Sequence, residues 1–165
     1  MSGVAQFMRV SPGQFRADWE DAFPGVALPD LPPLPRRATA GSAGYDFYSP
    51  LDFRLEPGAC IRIPTGVRAR IDAGWVLMLF PRSGLGFKYR LQLNNTVGVI
   101  DADYFGARNE GHIFVKLTNA GERPLSVAAG EAFAQGVLLP FGLTVDDAAS
   151  GERTGGFGST DKAHT

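Results

Sequence analysis

The sequence predicts an all-β protein, an antiparallel jelly-roll-like sandwich or barrel, with a short N-terminal helix and a flexible C-terminal arm. Three observations carry this expectation. From residue 44 onward, runs of alternating apolar and polar residues recur as YDFYS, LDFRL, CIRIP, VRARI, WVLMLF, HIFVKLT and FAQGVLL, the pattern of half-buried strands. Turn signals separate them, including EPG at 56–58, DAG at 72–74, NAGERP at 119–124 and AAGE at 128–131. No helical pattern of ten or more residues lies between the strands, which argues against crossover helices and a parallel sheet.

The helix is read from SPGQFRADWEDAF, residues 11–23. Ser11 suits the N-cap, Pro12 the first helical position, and Gln14 stands three residues after the cap. Phe15, Trp19 and Phe23 recur every four residues and form one apolar stripe, suited to the body of the protein or to a neighbouring subunit. PGVALPDLPPLPRR at 24–37 holds five prolines, which lack a donor and fix φ, so it should run as an extended connector. The expected organisation is an extension with connector at 1–34, a β domain at 35–148 and an arm at 149–165.

Composition removes several partners. At 165 residues and a formal charge of −1, the chain is the size of one domain and gives no electrostatic reason to expect nucleic acid or an acidic membrane. One cysteine, Cys60, and two histidines, His112 and His164, build neither a disulfide framework nor a cysteine- or imidazole-rich metal centre. The N-terminus lacks the pattern of a secretory leader, and no apolar run approaches the roughly 20 residues of a membrane helix. A cytoplasmic location is the expectation.

Five stretches break the alternation. In AGSAGYDFY (40–48), Asp46 stands in an aromatic strand, either exposed or needing a partner or cation. In PRSGLGFKYR (81–90), Arg82, Ser83, Gly84 and Gly86 can form a concavity for an anion. An ordinary glycine-rich hairpin turn is the alternative reading. It is neither a dinucleotide fingerprint, since no third glycine or helix is expected after it, nor a P-loop. In NNTVGVIDADY (94–104), Val97, Val99 and Ile100 read as core, Gly98 permits close backbone approach, and Asp101 and Asp103 are either a turn or a pair able to activate water. In AGEAFAQGV (129–137), Gln135 interrupts an apolar strand with a donor and acceptor. RTGGFGST (153–160) combines an arginine, glycines, an aromatic ring and hydroxyls, the makings of a lid over an aromatic, phosphorylated ligand.

In this order and spacing, the five stretches resemble the five motifs of the trimeric dUTPase family, from about residue 35 to residue 161. PRSGLGFKYRLQLNNTVGVIDADY and NEGHIFVKLTN look most like the bacterial and phage branch with an N-terminal helical extension. The resemblance implies hydrolysis of dUTP to dUMP and pyrophosphate, with Asp101 activating the water that attacks the α-phosphorus in line. It gives Asn95 and the backbone of Gly98, Val99 and Ile100 to the uracil, and the Tyr104 ring to the deoxyribose. Arg82, Ser83, Gly84 and Gln135 would hold phosphates. Mg²⁺ would sit mainly on the phosphates, with Asp46 reaching it through water. Phe157 would stack on uracil, Arg153 would meet the γ-phosphate, and Gly158, Ser159 and Thr160 would complete the arm over a site in another subunit of a homotrimer.

The pattern departs at Ala132, where a basic residue is usual, in the short RTGG spacing, at Asp161 where glycine is usual, and in the long segment FGARNEG, where Gly111 is expected to make the turn. A dCTP deaminase on the same fold, and a regulatory protein that contacts a partner through the aromatic stripe of the N-terminal helix, are the other readings.

Overall fold

The computed structural model describes residues 3–151 together with Arg153 and Gly155. The first half comprises β1 (Ala5–Arg9), α1 (Pro12–Ala22), β2 (Arg36–Arg37), β3 (Tyr45–Tyr48), β4 (Phe53–Leu55), β5 (Cys60–Pro64) and β6 (Val67–Ile71). The second comprises β7 (Trp75–Pro81), α2 (Ser83–Tyr89), β8 (Leu91–Leu93), β9 (Gly98–Ile100), a 3-10 turn at Ala102–Gly106, β10 (Phe114–Asn119), β11 (Leu125–Val127) and β12 (Ala132–Pro140).

Each strand pairing between these elements is antiparallel. The largest sheet has five strands in the order β2-β3-β12-β7-β9, and a three-stranded sheet has the order β5-β10-β8. β1 pairs with β6, and β11 with β4. Alternation works as read in β6, where Val67, Ala69 and Ile71 are buried, and Leu77 and Leu79 of β7 join them with Phe47, Ile63, Val115, Leu117 and Phe133 in one apolar core. Burial of such side chains stabilises the fold by about 1.5–3 kcal/mol each.

Helix α1 starts where its cap signals put it. Ser11 Oγ accepts from Gln14 N–H at 3.2 Å, and Pro12 opens the helix. Phe15 and Trp19 are 3% and 1% exposed, packed with Val10 and flanked by Phe23, Leu31 and Leu51. The aromatic stripe is therefore used up inside its own chain. This corrects its reading as a free surface for a regulatory partner.

Three other expectations change. AQFMR was not read as a strand, yet β1 pairs along its whole length with β6. A short helix, α2, does follow Arg82. It buries none of its own residues and ends at Arg90 in the left-handed region, φ 53°. Val99 is 46% exposed and faces away from the core, unlike its neighbours Gly98 and Ile100.

Candidate active site

The NNTVGVIDADY stretch begins with a tight turn after β8, closed by a bridge between Leu93 and Thr96, and continues through β9, which pairs with β7 in the other sheet. Beneath it lies a cavity of about 380 Å³ lined by Leu79, Leu93, Asn94, Asn95, Gly98 and Phe114. Asn95 and Gly98, expected to read a base, thus share one concavity. β9 ends at Ile100, and Asp101 follows with φ −78° and ψ 158°, capping the 3-10 turn. A turn intervenes between the two aspartates, yet both face the same cation. Arg153 Nη2 lies 3.1 Å from Asp101 Oδ2, and its Nε lies 3.6 Å from Asp103 Oδ1. The Asp101 and Asp103 side chains keep 47% and 56% of their surface, enough for a water or ligand to reach them.

Tyr104, expected to meet a sugar, is 2% exposed in this state. The hydroxyl donates to the His112 carbonyl at 2.7 Å and accepts from Asn109 Nδ2 at 2.8 Å. The Arg153 guanidinium stands 5.7 Å from the ring centroid. Burial pushes the phenol above its ordinary pKa, an effect opposed by the Asn109 hydrogen bond. Gly111 makes the expected turn, with φ +70°. A Cβ there would meet the Tyr104 carbonyl oxygen at 2.6 Å, so the backbone approach excludes any side chain.

The remaining phosphate candidates gather at the other end of the large sheet. Asp46 is buried on β3 and pairs with Arg82, Nη1 to Oδ2 at 2.7 Å. This corrects its reading as an exposed strand residue: the partner it needs is Arg82. Gln135 lies opposite Asp46 in the β12–β3 register, and its Nε2 donates to the Pro81 carbonyl at 3.2 Å. A Cβ on Gly44 would stand 2.5 Å from Gln135 Oε1, so Gly44 is small because Gln135 fills the space. Beyond Arg82, a cavity of about 580 Å³ is lined by Arg82, Ser83, Gly84, Lys88, Glu131 and Ala132. Lys88 was missed in the sequence because nothing local marks it. It brings a second cation, beside Arg82, to the cavity where Ala132 supplies none.

These two groups do not meet within one chain. Leu77 of β7 pairs with Ile100 of β9, so Asp101 lies level with Val76. Arg82 stands six residues farther along, about 20 Å at the usual strand rise. Asp46 on β3 is also three strands across the sheet from β9, about 14 Å at normal strand spacing. Arg153 stands at the aspartate end, away from Arg82. Phe157, Gly158, Ser159 and Thr160 lie outside the described residues. Among the described residues, no group of three or more His, Cys, Asp or Glu could hold a metal, and no helix is long and apolar enough to cross a membrane.

Comparison with known proteins identifies the family. The dUTPase family model matches residues 32–161. The deoxyuridine 5'-triphosphate nucleotidohydrolase of Lactococcus lactis subsp. lactis is 42% identical over 130 residues, 77% of this chain and 87% of the relative. That of Pseudomonas putida is 44% identical over 134 residues, 76% of this chain and 85% of the relative. Among solved structures, the dUTPase of Streptococcus mutans aligns with a TM-score of 0.63 at 38% identity, over 84% of this chain and 97% of that one. A dUTPase from phage phi11 of S. aureus, described with a structural Mg(II) ion, shares the fold with a TM-score of 0.63 at 21% identity, over 92% of this chain and 98% of that one. With the motif series, the antiparallel fold and a family match over most of its length, the chain belongs to the dUTPase family, and its activity is the hydrolysis of dUTP.

Proposed function

We propose that Asp101 is the general base, orienting and deprotonating a water for in-line attack on the α-phosphorus of dUTP, with dUMP and pyrophosphate as products. Its half-exposed carboxylate and its place at the end of β9, the strand whose first residue, Gly98, lines the cavity with Asn95, support this role. A base so placed contributes typically about 10² to 10⁴ in rate. The uracil lies against Asn95 and the backbone of Gly98, Val99 and Ile100, and the sugar against Tyr104 once Arg153 has withdrawn from its ring. Arg82, Ser83 and Gly84 hold the phosphate chain, with Gln135 and Lys88 near it. Guanidinium and ammonium groups bind phosphate oxygens strongly in such a cleft.

The observation that carries this reading is the distance between the two groups. A base at the β9 end and a phosphate cradle at the far end of β7 cannot serve one triphosphate unless a second chain supplies one of them. A closed homotrimer with three shared sites meets that requirement. The chain's carboxylates suit Mg²⁺ held mainly by substrate phosphates, with Asp46 reaching it through water, because Asp46 already faces Arg82. When bound, the ion neutralises phosphate charge. On ligand binding, Arg153 transfers from the two aspartates to the γ-phosphate, and Phe157, Gly158, Ser159 and Thr160 complete the closure.

The test is complementation. Asp101→Asn and Arg82→Gln are each purified, checked for fold, unfolded and refolded together, and assayed for pyrophosphate release. Random mixing in a ring of heterologous contacts leaves about a quarter of the sites with both functional halves. Activity near that fraction is expected, whereas a mixture as inactive as its components would overturn the shared site.

A further inference from the structure

We propose that the N-terminal helix α1 is a brace for the catalytic turn, and that Asp18 is a positioning residue for Asp101. The inference rests on the assignment of Asp101 as the base. It concerns residues outside the family match, which starts at residue 32.

The brace is a chain of hydrogen bonds through a buried histidine. His112 has no exposed surface. Gly66 N–H donates to its Nε2 at 2.8 Å, so that nitrogen carries the lone pair and the ring proton sits on Nδ1. Nδ1 then donates to Asp18 Oδ2 of α1 at 2.5 Å. Gln14 Nε2, one turn earlier on the helix, donates to the same carboxylate oxygen at 2.8 Å. The ring is thus fixed at both nitrogens, between Phe15 and Phe114. It serves as no base here, because neither nitrogen is left for a substrate.

The histidine backbone passes this constraint to the site. The His112 carbonyl accepts the Tyr104 hydroxyl, and Tyr104 N–H donates to the Asp101 carbonyl at 3.2 Å. A second tie runs in parallel. Ser11 donates twice to Glu110, from its N–H at 2.7 Å and its Oγ at 2.6 Å. Among the described residues, Glu110 is one of three non-glycine residues with positive φ, at 59°, a conformation that persists only when its surroundings hold it. From β6, Arg68 Nη2 donates to the Phe105 carbonyl at 2.7 Å, and its guanidinium lies 3.6 Å from the Phe105 ring centroid. The long segment after DADY is therefore gripped by α1 on one side and β6 on the other.

Removing the Asp18 carboxylate leaves the Nδ1 proton buried without an acceptor, so the ring must turn, and the carbonyl that holds Tyr104 turns with it. A displacement of about 1 Å at a reacting group costs up to about 10²-fold in rate. The phosphate cradle, at the other end of the sheet, is untouched.

The experiment measures kcat and KM for dUTP in the full-length chain. Asp18→Ala is expected to lower kcat by about tenfold to a hundredfold with little change in KM. Asp18→Asn, whose Oδ1 still accepts from Nδ1, is expected to keep most of kcat. Asp21→Ala cuts a polar tie of α1 that does not lead to the catalytic turn, to Arg62 of β5, and is expected to leave kcat at wild type. An unchanged kcat in Asp18→Ala, equal losses in the Asn and Ala variants, or an equal loss in Asp21→Ala would each overturn the proposal. Should Asp18→Ala not fold, Glu110→Ala reads the second tie. A smaller fall in kcat supports the brace, and an unchanged kcat overturns it. Asp101→Asn separates the two ideas: if it turns over at the wild-type rate, the base assignment fails, while an inactive Asp101→Asn beside a fully active Asp18→Ala removes the brace alone.

Discussion

The two halves of the site are built to opposite standards. Behind Asp101 stand Tyr104 and His112, 2% and 0% exposed, with hydrogen bonds to Asn109, Gly66 and Asp18. Behind Arg82, α2 buries no residue, lacks a side-chain cap and carries Phe87 at 94% exposure. The contrast follows from the chemistry each half performs. The proposed in-line attack tolerates little error in the position of the water, which suits the proposed base, Asp101, to a turn fixed by buried polar contacts. Phosphate oxygens are flexible and symmetric acceptors, so their cradle can stay open and adjust to the ligand and to a neighbouring subunit.

Breaking the rigid half should have the largest effect. Asp101→Asn is expected to lower kcat by about 10² to 10⁴ while dUTP binding, measured by calorimetry, persists. Next is Gly111→Ala, because its methyl would collide with the Tyr104 carbonyl at positive φ. A loss of about 1–3 kcal/mol is expected, seen as a fall in Tm of about 2–4 °C for each kcal/mol.

Acid should loosen the same half. Burial holds His112 below its ordinary pKa, although the Asp18 hydrogen bond opposes that shift. The unfolded chain therefore binds this proton first. The stability His112 contributes is full above about pH 6.5 and falls as pH drops below it toward the folded value. Glu110 is held below the ordinary carboxylate pKa by the Ser11 side-chain and backbone hydrogen bonds. Its contribution is present above the ordinary value and is lost as pH falls through the lowered one. Both shifts act in one direction, so Tm should decline on acidification in two steps. In His112→Gln the upper step should flatten. The smallest effect belongs to the open half: Phe87→Ser should change stability by no more than about 0.5 kcal/mol, checked by thermal melting.

The same contrast governs what could be read from the sequence. A strand with strict alternation, such as VRARI, declares itself because one face is apolar, and WVLMLF does so as an unbroken apolar run. AQFMR, LQL and LSV are too short or too mixed to do so, and they become strands only because β6, β10 and β4 pair with them. SGLGFKY reads as a loop because two glycines lower helix propensity. It folds as one turn-rich helix between Arg82 and Arg90. The cap at Ser11 was legible locally, but its second partner, Glu110, lies 99 residues away and leaves no local mark. The same holds for Asp18 with His112 and for Asp46 with Arg82. Residue types that do chemistry could be named from their motifs. Which of them share one end of the sheet could not, because that depends on register.

The five residues of β7 between Val76 and Arg82 carry a further consequence for the proposed trimer. A chain that has folded but found no neighbours holds two incomplete stations and turns over nothing, so catalysis counts assemblies rather than polypeptides. Specific activity should then climb with protein concentration until the rings are full, and a folded but solitary copy would leave the nucleotide intact.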